Sequence, residues 1–482
     1  MKRTRNTEYS PRLDIQNIRP YWFLIAGIIT MTFSHLTLNI DIVGWFSMVP
    51  FLVYLNITRG WKSKLLFALA LVVAWSIIVF KIITPPIPYM LIFLYSIPIS
   101  LIHLPGYLIW AKFRERRFSI LIFPAMMVVL EWIQYTFTPL ASWGVAAYTQ
   151  TSSIDILQFL SIFGMAGLSF LIYWVNLSIA TIIVKKERSF LSFTLPVSIL
   201  CFVIVFGTLR FEIEKLKGVE NIKVAAIGTD SEIGGLPLPD GNKNENDIEN
   251  IFRRTEKAAE SGAKIVSWTE GSFYLEPSNE ASWVQSFCTL ADESNVTLVA
   301  SYILLLSESP FRYENKYLMI DSTGKILYSY LKHQPVPGEP ALKGTDPLQV
   351  VEVEGIKLGA VICYDYDFPY LAKEYGDINA DIVAVPSSDW RGIDPLHTRM
   401  AAYRAIEQGH SLLRSTRFGL SAAINPYGEM SSQMSSFDKN NKIMIAQLPV
   451  KGIKTVYSTI GDILVYLCIA FILFFFILKR SS

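Results

Sequence analysis

Lys357–Pro369 reads KLGAVICYDYDFP. Leu358 to Ile362 form a short apolar run of the kind that makes a buried strand, and Cys363 sits where that run ends. Tyr364, Asp365 and Asp367 follow, and Phe368-Pro369 opens a turn leading to a helix. A thiol at a strand tip can face a cleft while its backbone stays rigid. A lone Cys after an apolar run is more often a small buried hydrophobe, so the rest of the chain must decide.

Two further strand ends carry reactive groups. Ile265-Val266-Ser267-Trp268 delivers Glu270, and Leu327-Tyr328-Ser329-Tyr330-Leu331 delivers Lys332. If the three strands are neighbours in one sheet, their tips share one edge, the usual place for a site in a layered α/β domain. Glu270 would take the thiol proton as general base. The Cys363 thiolate would attack an acyl carbonyl and form a thioester. Lys332 would lower the thiol pKa and stabilise the oxyanion, helped by a backbone N–H just after Cys363. Glu339, in the Pro/Gly-rich loop after Lys332, would orient the Lys or an incoming amine. The chain has four cysteines and five histidines. None makes a CxxC, HxxxH or HExxH pattern, so no metal or other cofactor is expected. A Cys288–Cys363 disulfide is compatible with the sequence but would abolish the nucleophile.

The rest of the chain says where such a site would work. Of 482 residues, 51% are hydrophobic and only 17% charged, against about 25% in ordinary soluble domains. A net charge of +2 without a large basic cluster argues against nucleic acid. Apolar segments recur at about 22–38, 43–57, 64–83, 88–111, 118–137, 156–184 and 190–210, and once more at 459–478. This predicts a multi-pass α-helical membrane bundle of about eight transmembrane helices. The N-terminal tail, Arg59–Lys64, Lys112–Arg117, Lys185–Arg188 and Lys479-Arg480 are basic, and the intervening loops carry no Lys or Arg. That alternation puts both termini in the cytoplasm and the polar block on the outer face. The expected division is a membrane domain over 1–211, an extracytoplasmic α/β domain over 212–455 and a C-terminal transmembrane helix in 456–482.

Within the polar block, periodicity predicts strands at Ile222–Ile227, Lys264–Trp268, Thr297–Leu306, Lys316–Asp321, Lys325–Leu331, Asp381–Val385, Ser411–Arg414, Ser421–Asn425 and Ile443–Leu448. Helices are expected at Asp247–Glu260, Glu280–Asp292 and around His397–Gln408.

The motifs Trp268-Thr269-Glu270, Leu331-Lys332-His333 with Pro337-Gly338-Glu339, and Ile362-Cys363-Tyr364-Asp365 resemble the nitrilase, or carbon–nitrogen hydrolase, superfamily. Several spans, then such a domain, then a terminal span resembles its apolipoprotein N-acyltransferase family. Glu131-Trp132, Ala147–Gln150, Phe163–Phe170 and Val175-Asn176 are similar to that family's membrane region. Ser388–Trp390, Pro395, His397, Arg399-Met400, Arg404–Glu407, Leu412–Arg414 and Gly419–Ser421 fit its downstream part. The resemblance implies an αββα sandwich on a membrane bundle in the inner membrane. It implies a ping-pong transfer of an acyl chain from a phospholipid to the N-terminal amine of a lipidated apolipoprotein through a Cys363 thioester. Catalytic roles fall on Glu270, Lys332 and Cys363, and support or substrate contacts on Glu339, Tyr364, Asp365 and Trp390. The chain departs from the family pattern at Thr269, in the shortened Pro335–Pro340 loop, at Asp365, at Ser388–Gly392 and at Arg417-Phe418, all expected on the substrate side. The alternative outcome is a membrane-anchored amidase, or an acyltransferase with another amine acceptor.

Other residues receive plainer readings. Trp132, Trp143 and Tyr148 read as interfacial anchors. Arg399 and Arg404 read as partners of buried carboxylates. Trp390 reads as either an acyl-chain wall or core. Glu131, ionisable inside an apolar span, reads as functional.

Overall fold

The computed structural model describes residues 18–116, 118–186, 189–215, 218–233, 236–438 and 440–478. Most of the basic N-terminal tail, Arg117, Arg188 and Lys479-Arg480 lie outside the described residues.

Among the described residues, five helices are long and apolar enough to cross a membrane: Trp61–Phe80, Leu91–Phe113, Ser119–Phe137, Leu160–Lys185 and Phe190–Ile213. Shorter apolar helices occupy the other three expected positions, Tyr21–Thr32, Asp41–Ile57 and Ile463–Ile477. The second of these is broken into Asp41–Gly44 and Val49–Ile57, with Pro50 in the first turn after the break. These helices are apolar on all sides. On Trp61–Phe80, Phe67, Leu71, Trp75 and Ile78 are buried while Leu65, Leu66, Leu69, Val73 and Ile77 are exposed. Apolar surface of that extent on an already packed helix faces lipid. The chain is an integral membrane protein.

The polar block folds into an α/β domain of four layers, αββα. One sheet runs in the order Ile443–Pro449, Asn221–Ile227, Ile265–Trp268, Thr297–Glu308, Phe311–Ile320, Ile326–Leu331, with Tyr274–Leu275 also paired to Thr297–Glu308. The other runs Met430–Ser435, Leu420–Ile424, Ser411–Arg414, Ile382–Ala384, Ile356–Ala360, Val351–Val353. Alternation sorts the side chains of each strand between two faces. Ile222, Val224 and Ala226 pack between the sheets against Leu358, Ile382 and Leu412. Ala225 and Ile227 pack outward with Ile248, Ile251, Phe287 and Leu290 from the helices Gly241–Glu260 and Glu280–Ser294. Leu371, Ala372 and Tyr375 from Pro369–Asp377 cover the second sheet.

The helix Leu396–Gln408 covers that sheet too, and it has two apolar faces. Ala401, Ala402 and Ala405 touch the sheet, while Leu396, Met400, Tyr403 and Ile406 join the core of the membrane bundle. The Tyr403 hydroxyl donates to the Ala147 carbonyl at 2.8 Å. Arg404 pairs with Glu407 at 2.9 Å, and Glu407 accepts the Met165 N–H at 2.7 Å, where Gly164 has a left-handed φ of 60°. This buried ion pair joins the domain to the bundle, as expected for Arg404. Arg399 differs: it is exposed on its helix and forms no ion pair among the described residues.

The three strand ends are not all in one sheet. The Cys363 strand belongs to the second sheet, while those leading to Glu270 and Lys332 lie in the first with two strands between them. The site forms across the gap at one end of the stacked sheets.

Candidate active site

Cys363 begins a short 3-10 turn, Cys363–Asp367, with a left-handed φ of 46°. A non-glycine residue there is strained and persists only when its surroundings hold it. The Cys363 N–H donates to the Pro386 carbonyl at 2.9 Å. Asp365 braces the turn from behind, accepting from Tyr330 Oη at 2.8 Å, Gln334 N at 2.6 Å and Ile362 N at 3.2 Å. Burial raises the Asp365 carboxyl to about 6 against the pull of Lys332. Asp365 is fully buried behind the turn, so its expected place on the substrate side is corrected to one of support. Thr269 is likewise fully buried, its hydroxyl 3.0 Å from that of Ser272, and does not line the cleft.

Lys332 is 1% exposed and bridges two carboxylates, with Nζ 2.8 Å from Glu270 Oε1 and 2.9 Å from Glu339 Oε2. Burial opposes the ammonium, but Glu270 and Glu339 outweigh it and hold Lys332 well above its ordinary value. Glu339 also accepts from Val336 N at 2.8 Å and Tyr313 Oη at 3.2 Å. Despite burial, Lys332 keeps its carboxyl below the usual range. Asn315 Nδ2 donates to both carboxylates, at 2.7 Å to Glu270 and 3.1 Å to Glu339. Glu270 Oε2 is buried and has no hydrogen-bond partner, which leaves that oxygen open to accept a proton.

The thiol is 3% exposed and lies 3.7 Å from the Ser388 carbonyl. Burial and then the Glu270 charge push its pKa well above the ordinary value, while Lys332 pulls it down. The resting thiol is therefore protonated and needs a base. On the other side of the sulfur, Cys363, Asp389 and His397 have donor atoms within 4.8 Å of one another. His397 is held between Asp389, 2.6 Å from Nδ1, and Asp367, 2.9 Å from Nε2. Burial disfavours the imidazolium, yet Asp367 and Asp389 raise it to about 9. Arg414 donates to Asp389 at 2.9 Å. Cys288 and Cys363 are both free thiols.

A narrow cavity of about 70 Å³ is lined at one end by Cys363, Tyr364, Ser388 and His397 and runs into the bundle. Leu36, Val79, Ile83, Tyr95, Ile99 and Leu140 line its deeper part. Trp390 is a wall of this cavity, and its indole N–H donates to the Ile82 carbonyl at 2.6 Å. The Tyr364 hydroxyl donates to the Pro139 carbonyl.

The expected aromatic anchors have other work. Trp143 lines the cavity and donates to Asp367 Oδ2 at 2.8 Å. Tyr148 is buried, its hydroxyl 3.0 Å from that of Ser142 and accepting from Arg404 at 3.2 Å. Trp132 donates to Asp462 at 3.0 Å. Each ties structural elements together. Glu131 is 2% exposed and accepts from Ala146 N at 2.7 Å and Tyr173 Oη at 2.6 Å. It fixes the 3-10 segment Ala146–Thr149 beneath the domain.

Sequence reasoning missed Asn315, Tyr313 and the pairing of His397 with Asp367. Asn315 left one signal: it is a buried amide on the Tyr313/Tyr317 face of its strand, where an unpaired polar group would be costly.

The family model described as carbon-nitrogen hydrolase matches residues 223–457. That described as apolipoprotein N-acyltransferase N-terminal domain matches residues 26–178. The apolipoprotein N-acyltransferase of Borreliella burgdorferi is 26% identical over 68% of this chain and 69% of its own length. That of Bradyrhizobium diazoefficiens is 23% identical over 77% of each. The crystal structure of an amidase from Nesterenkonia sp. aligns with 52% of this chain and 97% of its own, at 18% identity and a TM-score of 0.41.

Proposed function

The chain belongs to the apolipoprotein N-acyltransferase family of the carbon–nitrogen hydrolase superfamily, and we propose that it moves a fatty acyl chain from a phospholipid to the N-terminal amine of a diacylglyceryl-Cys apolipoprotein. The observation that carries this reading is the cavity itself. A nucleophilic thiol stands at one end of an apolar hollow whose other end lies among membrane helices. A soluble amidase has no use for such a hollow, whereas an acyl donor could keep its chain in apolar surroundings while its ester meets Cys363. Extracting that chain into water would cost about 0.8 kcal/mol per CH₂.

In the first half-reaction Glu270 takes the thiol proton through its open Oε2. The thiolate adds to the ester carbonyl, and the oxyanion is met by Lys332 and the backbone N–H of Tyr364. Collapse breaks the ester C–O bond, and Glu270 returns its proton to the lysophospholipid alkoxide. In the second half the lipoprotein amine loses a proton to Glu270 and attacks the thioester. Collapse then expels the thiolate, which regains its proton. Glu339 and Asn315 hold Lys332 and Glu270 in place, and Tyr364 and Trp390 shape the cavity mouth. The basic loops Arg59–Lys64 and Lys112–Arg116 support cytoplasmic termini and a catalytic domain on the outer face.

The test incubates purified protein with labelled phospholipid and a diacylated lipopeptide. Labelled N-acyl lipopeptide is the expected product. Free fatty acid alone would refute the transferase reading in favour of a hydrolase.

A further inference from the structure

The far end of the bundle carries a second built site. The 23-residue helix Leu91–Phe113 reaches from Tyr95, beside the acyl cavity, to Arg114. Such a helix rises about 35 Å, a little more than the hydrocarbon depth of a bilayer. There a hollow of about 240 Å³ is lined by Arg114, Arg116, Lys185, Ser119, Ser189 and Ser192, with Trp110 and Ile120 as apolar walls. Charge by itself is ordinary in such loops. The burial is not. Arg114 is only 8% exposed, and its NH1 donates to the Leu55 and Ala111 carbonyls at 2.9 and 2.8 Å. Its buried Nε makes no hydrogen bond. Among the described residues the nearby carboxylate is Glu115, 3.6 Å from Arg114 Nε, 3.4 Å from Lys185 and 3.6 Å from Arg59, so three described cations meet it.

One open helix start also lies at this hollow: Ser119–Phe137 has no side-chain cap at its N-terminus, whereas the start at Phe190 is closed by its own Ser189–Ser192 capping box. An open helix start presents N–H groups and positive potential to anions. Cations, one open helix start and flanking apolar walls together match a phosphate joined to a lipid tail.

We propose that this hollow binds the phosphate headgroup of an anionic phospholipid in the leaflet opposite the catalytic domain. The site is separate from the acyl cavity and stands whether or not the thioester chemistry does. The test uses the full-length protein in detergent, with native mass spectrometry and thermal unfolding during titration with phosphatidylglycerol, phosphatidylcholine or inorganic phosphate. Phosphatidylglycerol should bind and raise the unfolding temperature. Arg116→Gln with Lys185→Gln, both exposed side chains, should weaken that binding about 30-fold while acyl-enzyme formation stays unchanged. Equal binding of phosphatidylcholine, or unaltered binding by the double variant, overturns the proposal. Inorganic phosphate giving the same stabilisation overturns the lipid assignment in favour of a free anion.

Discussion

Lys332 can be asked to separate its two duties. In Lys332→Met the ammonium disappears from between two carboxylates whose side chains are 6% and 11% exposed. Glu270 Oε1 and Glu339 Oε1 then share one amide donor, Asn315 Nδ2, at 2.7 and 3.1 Å. Breaking a buried ion pair from one side costs about 3–5 kcal/mol, and one carboxylate would take up a proton to limit the repulsion. Adding Glu339→Gln removes one of the two stranded charges and keeps one acceptor oxygen, enough for Tyr313 and Asn315 or for Val336 N–H, which bond different oxygens of the carboxylate. The double variant should therefore recover part of the lost stability. It should not recover the chemistry. Removing one oxyanion donor slows acyl transfer by about 10²–10³-fold, and a glutamine at 339 supplies no cation. The assay is the burst of acyl-enzyme from labelled phospholipid, followed by mass spectrometry of the Cys363 peptide below the unfolding temperature of either variant. Should the double variant acylate within a few-fold of the parent, Lys332 serves only as a counter-ion and its oxyanion role fails.

Cys363→Ala should yield no acyl adduct and stay within about 1 kcal/mol of the parent stability, since it removes one sulfur that accepts no hydrogen bond from the site; an adduct on the variant would move the nucleophile elsewhere. Ile99→Trp, placed in the deep part of the cavity where Ile99 is 3% exposed, should slow acylation by phospholipid about 10²-fold or more by displacing the chain. Alkylation of Cys363 by iodoacetamide should continue at the parent rate, and equal loss of both reactions would mean simple misfolding. His397 is raised from 6.5 to about 9, so its contribution to stability is complete below pH 6.5 and lost as pH rises through 9. Up to about 3 kcal/mol is at stake; an unfolding temperature that stays level from pH 7 to 10 would show a neutral imidazole.

Local chemistry made much of this molecule legible. Strand ends at Trp268, Leu331 and Ile362 pointed to Glu270, Lys332 and Cys363 because an apolar run stops where the chain leaves the core. The helix Gly241–Glu260 begins six residues before its apolar periodicity does, because its first turn, capped by Asp240, carries no apolar side chain. Phe311–Ile320 likewise extends ahead of its apolar part, its backbone paired to Thr297–Glu308 through a stretch that includes the polar Arg312, Glu314 and Asn315. Val351–Val353 and Met430–Ser435 were missed as short, mostly exposed edge strands without a clear alternation. Which sheet holds which strand was not legible at all. Periodicity fixes the faces of a strand, but its neighbours depend on crossovers that leave no local trace.

Trp143 and Tyr148 do more than an interfacial anchor for one shared reason, and it bears on how the enzyme works. Each looked local, yet each has a partner across the boundary between bundle and α/β domain, Asp367 and Arg404. Ser142 Oγ and Trp143 Nε1 both reach Asp367, at 2.8 Å each, the residue that closes the Cys363 turn. The same Asp367 holds His397, on the helix whose other face belongs to the bundle core. A change in how the membrane helices stand would therefore reach the nucleophile's turn through a hydrogen bond rather than through the lipid chain. That connection gives a reason for building the catalytic turn against the bundle instead of on a flexible tether: the cavity that holds the acyl chain and the backbone that holds the thiol are fixed by the same residues.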